Sequence, residues 1–122
     1  MIAGAHMLLF ADDADAARAF FRDVLGFENV DAGDGWLIFA LPPGELGIHP
    51  VNRPDHVNGK LELWLMCHDL EQTVEELEAK GAAFTDEVTE ESFGRYRHFK
   101  IPGAGVAWLY EPKHKSPLAD FS

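Results

Sequence analysis

The feature that most constrains this chain is an internal repeat. An apolar stretch, Ile2–Phe10, runs into Asp13, then a helical pattern, then Gly26-Phe27. About 56 residues later, Lys60–Met66 runs into Asp69, a second helical pattern and Gly81. His6 stands seven residues before Asp13, and Glu62 stands seven residues before Asp69. Leu41-Pro42-Pro43-Gly44 and Ile101-Pro102-Gly103-Ala104 each close one apolar strand and open the next. A repeat of this kind marks a unit that cannot bury its apolar face alone. Units of about fifty residues have small cores, so two copies packed together are expected.

Local pattern gives the elements of each copy. Asp12-Asp13 are good helix N-caps, and Ala17, Phe20, Phe21, Val24 and Leu25 follow the spacing of an amphipathic helix that Gly26 would stop. Glu28–Ala32 reads as a strand, Gly33-Asp34-Gly35 as a hairpin turn, Trp36–Leu41 and Glu45–His49 as two more strands. Pro50–Gly59 is the linker. The second copy opens with Leu61–Met66. Asp69 and Gln72 fit a capping box, Leu70, Val74 and Leu77 give a buried stripe, and Gly81 ends the helix. Ala83–Val88 is strand-like, Thr89–Gly94 a polar loop, and Arg95–Ile101 and Val106–Glu111 are strands. Both copies read βαβββ. The expectation is one α+β domain over 1–122, with module one at about 2–50 and module two at about 59–113.

Strand alternation assigns faces. Leu61, Leu63 and Leu65 share the expected floor for the second helix, while Glu62, Trp64 and Met66 share the other face. By the repeat, His6, Leu8 and Phe10 take the equivalent face of the first strand. His6 and Glu62 are then expected to point into whatever the two sheets enclose. A carboxylate on an otherwise apolar strand is costly unless it meets a partner, which makes Glu62 the less ordinary residue. Trp64, Trp108 and Tyr110 could stack on a planar or cationic ligand or simply fill the core. Alternation alone leaves open which of Arg95, Arg97 and Lys100 face the enclosed side. His56, His68, His98 and His114 lack ligand spacing and are expected in solvent, and Ser116–Ser122 is expected to be a loose tail.

Composition excludes several classes. Ten Lys plus Arg against 21 Asp plus Glu gives a net charge of −11, which disfavours nucleic acid and suits a cationic ligand. No apolar run approaches the roughly 20 residues of a membrane span. The lone Cys67 cannot form an internal disulfide, so a reducing cytoplasm is expected. There is no Gly-rich phosphate loop, no Gly-x-Ser-x-Gly elbow and no Cys pair for zinc or redox work.

His6 with Asp13, the helix carrying Phe20-Phe21, Leu25-Gly26-Phe27 and, in the second half, Cys67-His68-Asp69-Leu70 with Val74, Leu77 and Lys80-Gly81 resemble the vicinal-oxygen-chelate superfamily. That group includes glyoxalase I, fosfomycin and bleomycin resistance proteins, and extradiol dioxygenases. The resemblance implies paired βαβββ modules forming an incompletely closed, eight-stranded, barrel-like cleft, and a homodimer. It also implies one divalent metal (Zn, Ni, Mn or Fe), with ligands from the first and fourth strands of each module, acting as a Lewis acid.

Carried over by position, His6 matches the first ligand and Glu62 stands where the second module usually has His. Gly47 and Trp108 fall at the fourth-strand positions, and a one-residue slip offers only Ile48 or Leu109. His49, two residues beyond Gly47, could substitute. The ligand set His6, Glu62 and His49 is thus a degraded metal site. The expected function is binding of a small organic molecule in the inter-module cleft by His6, His49, Glu62, Trp64, Trp108 and Tyr110, with no cofactor firmly implied. One alternative is a metal-dependent lyase, isomerase or dioxygenase using His6, Glu62 and His49, with Glu62 as a possible catalytic base. The other is a non-catalytic structural or regulatory module whose cleft is filled by side chains.

Overall fold

The computed structural model describes residues 1–23, 27–41, 44–100 and 106–122; the side chain of Phe20 is not among those described. The element order is β1 (Ile2–Ala11), α1 (Ala14–Asp23), β2 (Asn29–Asp31), β3 (Leu37–Leu41), β4 (Gly44–Pro50), β5 (Leu61–Cys67), α2 (Leu70–Ala79), β6 (Thr89–Glu91), β7 (Gly94–Lys100) and β8 (Val106–Pro112), with a short 3₁₀ turn at Ala119–Phe121. This is βαβββ twice, an α+β fold with an eight-stranded mixed sheet in the order β2-β3-β4-β1-β5-β8-β7-β6. The parallel pairs, β1 with β4 and β5 with β8, join the first and last strands of each repeat. No helix among the described residues is long and apolar enough to cross a membrane.

The helix ends follow from their caps. Asp13 Oδ1 accepts the Ala16 N–H at 2.9 Å and starts α1. The expected last turn of that helix, Val24, Leu25 and the stop Gly26, lies outside the described residues. Asp69 Oδ1 accepts the Gln72 N–H at 3.0 Å and starts α2. The return half of the capping box is not made, because the Gln72 amide donates to Glu76 at 3.1 Å. Gly81, with φ +98°, closes α2: its N–H bonds Glu78 O and the Ala82 N–H bonds Leu77 O, both at 3.0 Å.

Contacts divide the chain into two compact units, Met1–Ala5 with Leu63–His114, and His6–Glu62 with Lys115–Ser122. In the unit holding α1, the helix covers Phe39, Leu46 and Ile48, with Met7, Leu9 and Ala11 of β1 packed against them. Alternation therefore turns His6, Leu8 and Phe10 to the opposite face, and on β4 Glu45, Gly47 and His49 go with them. In the unit holding α2, Leu70 and Val74 pack on Cys67 and Leu109. The expected floor of Leu61, Leu63 and Leu65 needs correction. Leu61 and Leu63 are 59% and 42% exposed, because α2 covers the C-terminal end of β5 and leaves its start open.

Three further expectations change. The polar loop at 89–94 contains the edge strand β6, paired with β7 from Thr89↔Tyr96 to Glu91↔Gly94. An edge strand with no covering layer carries no apolar alternation, so its sequence reads as loop. Among the described residues, Ala83–Val88 contributes a single bridge, Phe84↔Phe99. The tail is also not loose: Ser116 is 5% exposed.

Candidate functional site

In the α1 unit, parallel pairing of β1 with β4 places His6 opposite Glu45. A carboxylate can only accept, so His6 Nδ1–H donates to Glu45 Oε1, at 2.5 Å. The Ser116 hydroxyl donates to Glu45 Oε2 at 2.8 Å and accepts the Leu118 N–H at 3.1 Å. His6 and Glu45 are 3% and 0% exposed, so the carboxylate is buried with both oxygens engaged. Gly47 forms the bed for this arrangement. A Cβ added there would lie 2.9 Å from His6 Nε2 and 2.9 Å from Leu8 Cδ2, closer than side chains normally approach.

His49 stands at the open end of β4. Its Nδ1 donates to the Pro50 carbonyl at 2.7 Å, and its ring lies 5.3 Å from Phe10 and 5.1 Å from His56. Glu62 is half-buried near the start of β5. Among the described residues, no group of three His, Cys, Asp or Glu ligand atoms drawn within 4.8 Å of one another includes Glu62 or His49. His6, Glu62 and His49 therefore do not converge as a ligand trio.

In the α2 unit, the equivalent face is aromatic. Trp64 and Trp108 are register partners on β5 and β8 and stack at 5.2 Å with 7° between their planes. Tyr110 meets Trp64 edge-on at 5.0 Å, and Tyr96 does so at 5.1 Å. The Tyr110 hydroxyl donates to Phe93 O at 2.8 Å and accepts from His114 Nδ1 at 2.6 Å. So Tyr110 and His114 are buried and held by each other, and the solvent position expected for His114 is wrong. His98 is not simply solvated either. Its backbone N–H and its Nδ1 both donate to the Asp86 carboxylate, at 2.8 and 2.5 Å.

On the outer face of the same unit, the Arg95 guanidinium gathers Glu71, Glu90 and Glu111, and its hydrogen bonds hold the Glu71 and Glu90 carboxyls below the usual range. Glu111 Oε1 also accepts the Leu70 N–H at 3.0 Å, which ties β8 to the start of α2. Burial pushes the Cys67 thiol up to about 11, which makes it inert at neutral pH.

Sequence reading missed Glu45, Ser116, Asp86 and the role of His98. Glu45 had a visible signal: it begins the alternation Glu45, Gly47, His49 opposite the apolar Leu46 and Ile48, and a lone acid there is as anomalous as Glu62. Ser116 had none, since its partner lies 71 positions away.

A family model described as Glyoxalase/Bleomycin resistance protein/Dioxygenase superfamily matches residues 4–113. No curated protein matches the chain. Among solved structures, the chain is similar to methylmalonyl-CoA epimerase from Mycobacterium tuberculosis, with 19% identity, 91% of this chain and 89% of that one covered, and a TM-score of 0.69. It is similar to the NAD-dependent benzaldehyde dehydrogenase structure from Legionella pneumophila at 14% identity, 87% and 96% coverage, and a TM-score of 0.64. A superfamily member from Vibrio splendidus 12B01 matches at 17% identity, 90% and 98% coverage, and a TM-score of 0.54. Identities this low, under names this varied, establish the fold and not the activity.

Proposed function

Because the chain belongs to the glyoxalase/bleomycin resistance protein/dioxygenase superfamily, we propose that it binds a small organic molecule without a resident four-ligand metal centre. The observation that carries this is the bed of His6. The metal implied by the family resemblance needs ligands at His6, position 47, Glu62 and position 108. Position 47 is a glycine whose Cβ would press on the His6 ring at 2.9 Å, so no ligating side chain fits there while His6 keeps its place. Position 108 is a tryptophan stacked on Trp64. Glu45 is no simple replacement, since one oxygen is taken by His6 and the other by Ser116. Of the four positions that the resemblance implies, His6 and Glu62 alone carry ligating side chains, and we assign no chemical step to a metal.

What remains is a stacking surface. Trp108, half-buried and stacked on the buried Trp64 with Tyr110 braced behind, offers a flat π surface for planar or cationic rings, bound by dispersion and quadrupole attraction. Glu62, two positions before Trp64 on the same face of β5, is the polar group we assign to ligand orientation. A lyase, isomerase or dioxygenase with Glu62 as base is the reading that a bound metal would favour. We read the chain as one domain of two modules, about 2–50 and 59–113. We assign it to a reducing cytoplasm from its single buried cysteine, and carry a homodimer from the family resemblance.

The test is a thermal-shift screen of small aromatic compounds run twice, in EDTA and with added zinc. The proposal expects the same compounds to stabilise the protein in both. Stabilisation that appears only with zinc would overturn it.

A further inference from the structure

The strand β7 carries chemistry that the reading above does not use. Its alternation puts Tyr96, His98 and Lys100 on one face, with register partners Tyr110, Trp108 and Val106 on β8. The His98 ring lies 4.7 Å from Trp108 and 5.7 Å from Tyr96. Asp86 holds the ring from behind: accepting from Nδ1 fixes the hydrogen on that nitrogen and turns Nε2 away from Asp86. Among the described residues, Nε2 has no hydrogen-bond partner, although a quarter of the His98 side chain is exposed (25%). Lys100, two positions on, is exposed and has no ion-pair partner among the described residues. Beside them, Val106 is 44% exposed and Trp108 is half-buried.

These pieces form an apolar floor with two basic groups at its rim. Asp86 pairs with His98 through Nδ1, on the side away from the open nitrogen, so the unpaired positive charge at this rim is that of Lys100. His98 and Lys100 are two strand positions apart, about 6.7 Å along the chain, a span that the long lysine side chain closes readily. A chain of net charge −11 has little general attraction for anions, so a lysine with no ion-pair partner among the described residues, set at the edge of an aromatic floor, is a local exception.

Resting on the stacking surface proposed above, we infer that the ligand is a flat aromatic carboxylate, its ring on Trp108 and Val106 and its carboxylate on His98 Nε2 and Lys100 Nζ. A hydrogen on Nε2 lets the His98 ring donate to the carboxylate while Asp86 keeps its orientation, and Lys100 adds a charge-assisted contact. Asp86 acts as a positioning residue.

The experiment is a titration of ¹⁵N-labelled protein at pH 6.5 with 2-naphthoate and, separately, with the neutral 2-naphthalenemethanol. The indole N–H signals of Trp36, Trp64 and Trp108 are followed. 2-Naphthoate should shift Trp108 and Trp64 saturably and leave Trp36 in place, and the alcohol should bind about tenfold more weakly. His98→Gln should weaken naphthoate binding about tenfold with little change for the alcohol. Lys100→Ala, at an exposed position that folding tolerates, should weaken it several-fold and keeps the test valid if His98→Gln fails to fold. Equal binding of both probes, or naphthoate binding unchanged in the variants, overturns the inference and leaves the stacking surface standing. No shift of Trp108 with either probe overturns both.

Discussion

In the first repeat, the register partners Leu8 and Gly47 leave room that the His6 ring fills; in the second, the partners Trp64 and Trp108 fill their own space by stacking. The backbone plan is the same, a first strand pairing in parallel with a fourth. The difference is how each repeat satisfies the face turned away from its helix. One has a hydrogen-bonded His6–Glu45 pair sealed by a serine, both residues almost wholly buried. The other has a half-buried Trp108 stacked on the buried Trp64, with a histidine and a lysine beside it. We read the first arrangement as structural and propose the second as the one that meets a ligand. Duplication thus fixes where a site can lie, and the residues at each strand pairing decide which copy provides it.

The comparison predicts its own largest effect at Glu45. Glu45→Ala leaves His6 Nδ1 and the Ser116 hydroxyl buried without their acceptor, and should destabilise by about 3–5 kcal/mol. The melting temperature should fall on the order of 10 °C or more. A fall of only a degree or two would mean that the sealed pair is not structural and would erase the contrast between the repeats.

Gly47→Ala sharpens the same contrast. In an ordinary strand, replacing glycine by alanine helps. Here the new methyl meets the His6 ring and Leu8, so a loss of about 1–3 kcal/mol is expected in chemical denaturation. A neutral or stabilising result would show that the His6 ring moves freely and that position 47 has room for a side chain.

The smallest effect is at Cys67, under α2. Burial raises its folded-state value from 9.0 to about 11, so the neutral thiol is favoured by folding. The stability this contributes is complete below about pH 9 and is lost as pH rises towards 11. Ellman's reagent at pH 8 should leave the folded protein unlabelled and react once guanidinium unfolds it. Prompt labelling of the folded protein would show that the α2 face opens locally.

Much of this was legible in the sequence. The repeat, the two βαβββ orders, the caps Asp13 and Asp69 and the face shared by His6, Leu8 and Phe10 all follow from local spacing, where one residue's neighbours are known. The failures lie where a partner is distant. Asp86 meets His98 because 83–86 runs beside β7, and Ser116 meets Glu45 across most of the chain. His114, expected in solvent, is the exception: Tyr110 holds it buried from four positions away. Position 47 was read as a missing ligand, which is a statement about chemistry. Packing gives the reason: the glycine is there because His6 lies on it.

The central claim is that the sealed pair is not a metal centre. The direct measurement is metal content, by plasma mass spectrometry, of protein purified without chelator, compared with His6→Ala purified in the same way. Well below one equivalent of zinc, nickel, manganese and iron together, unchanged in His6→Ala, is the predicted result. One equivalent per chain that disappears in His6→Ala would contradict it.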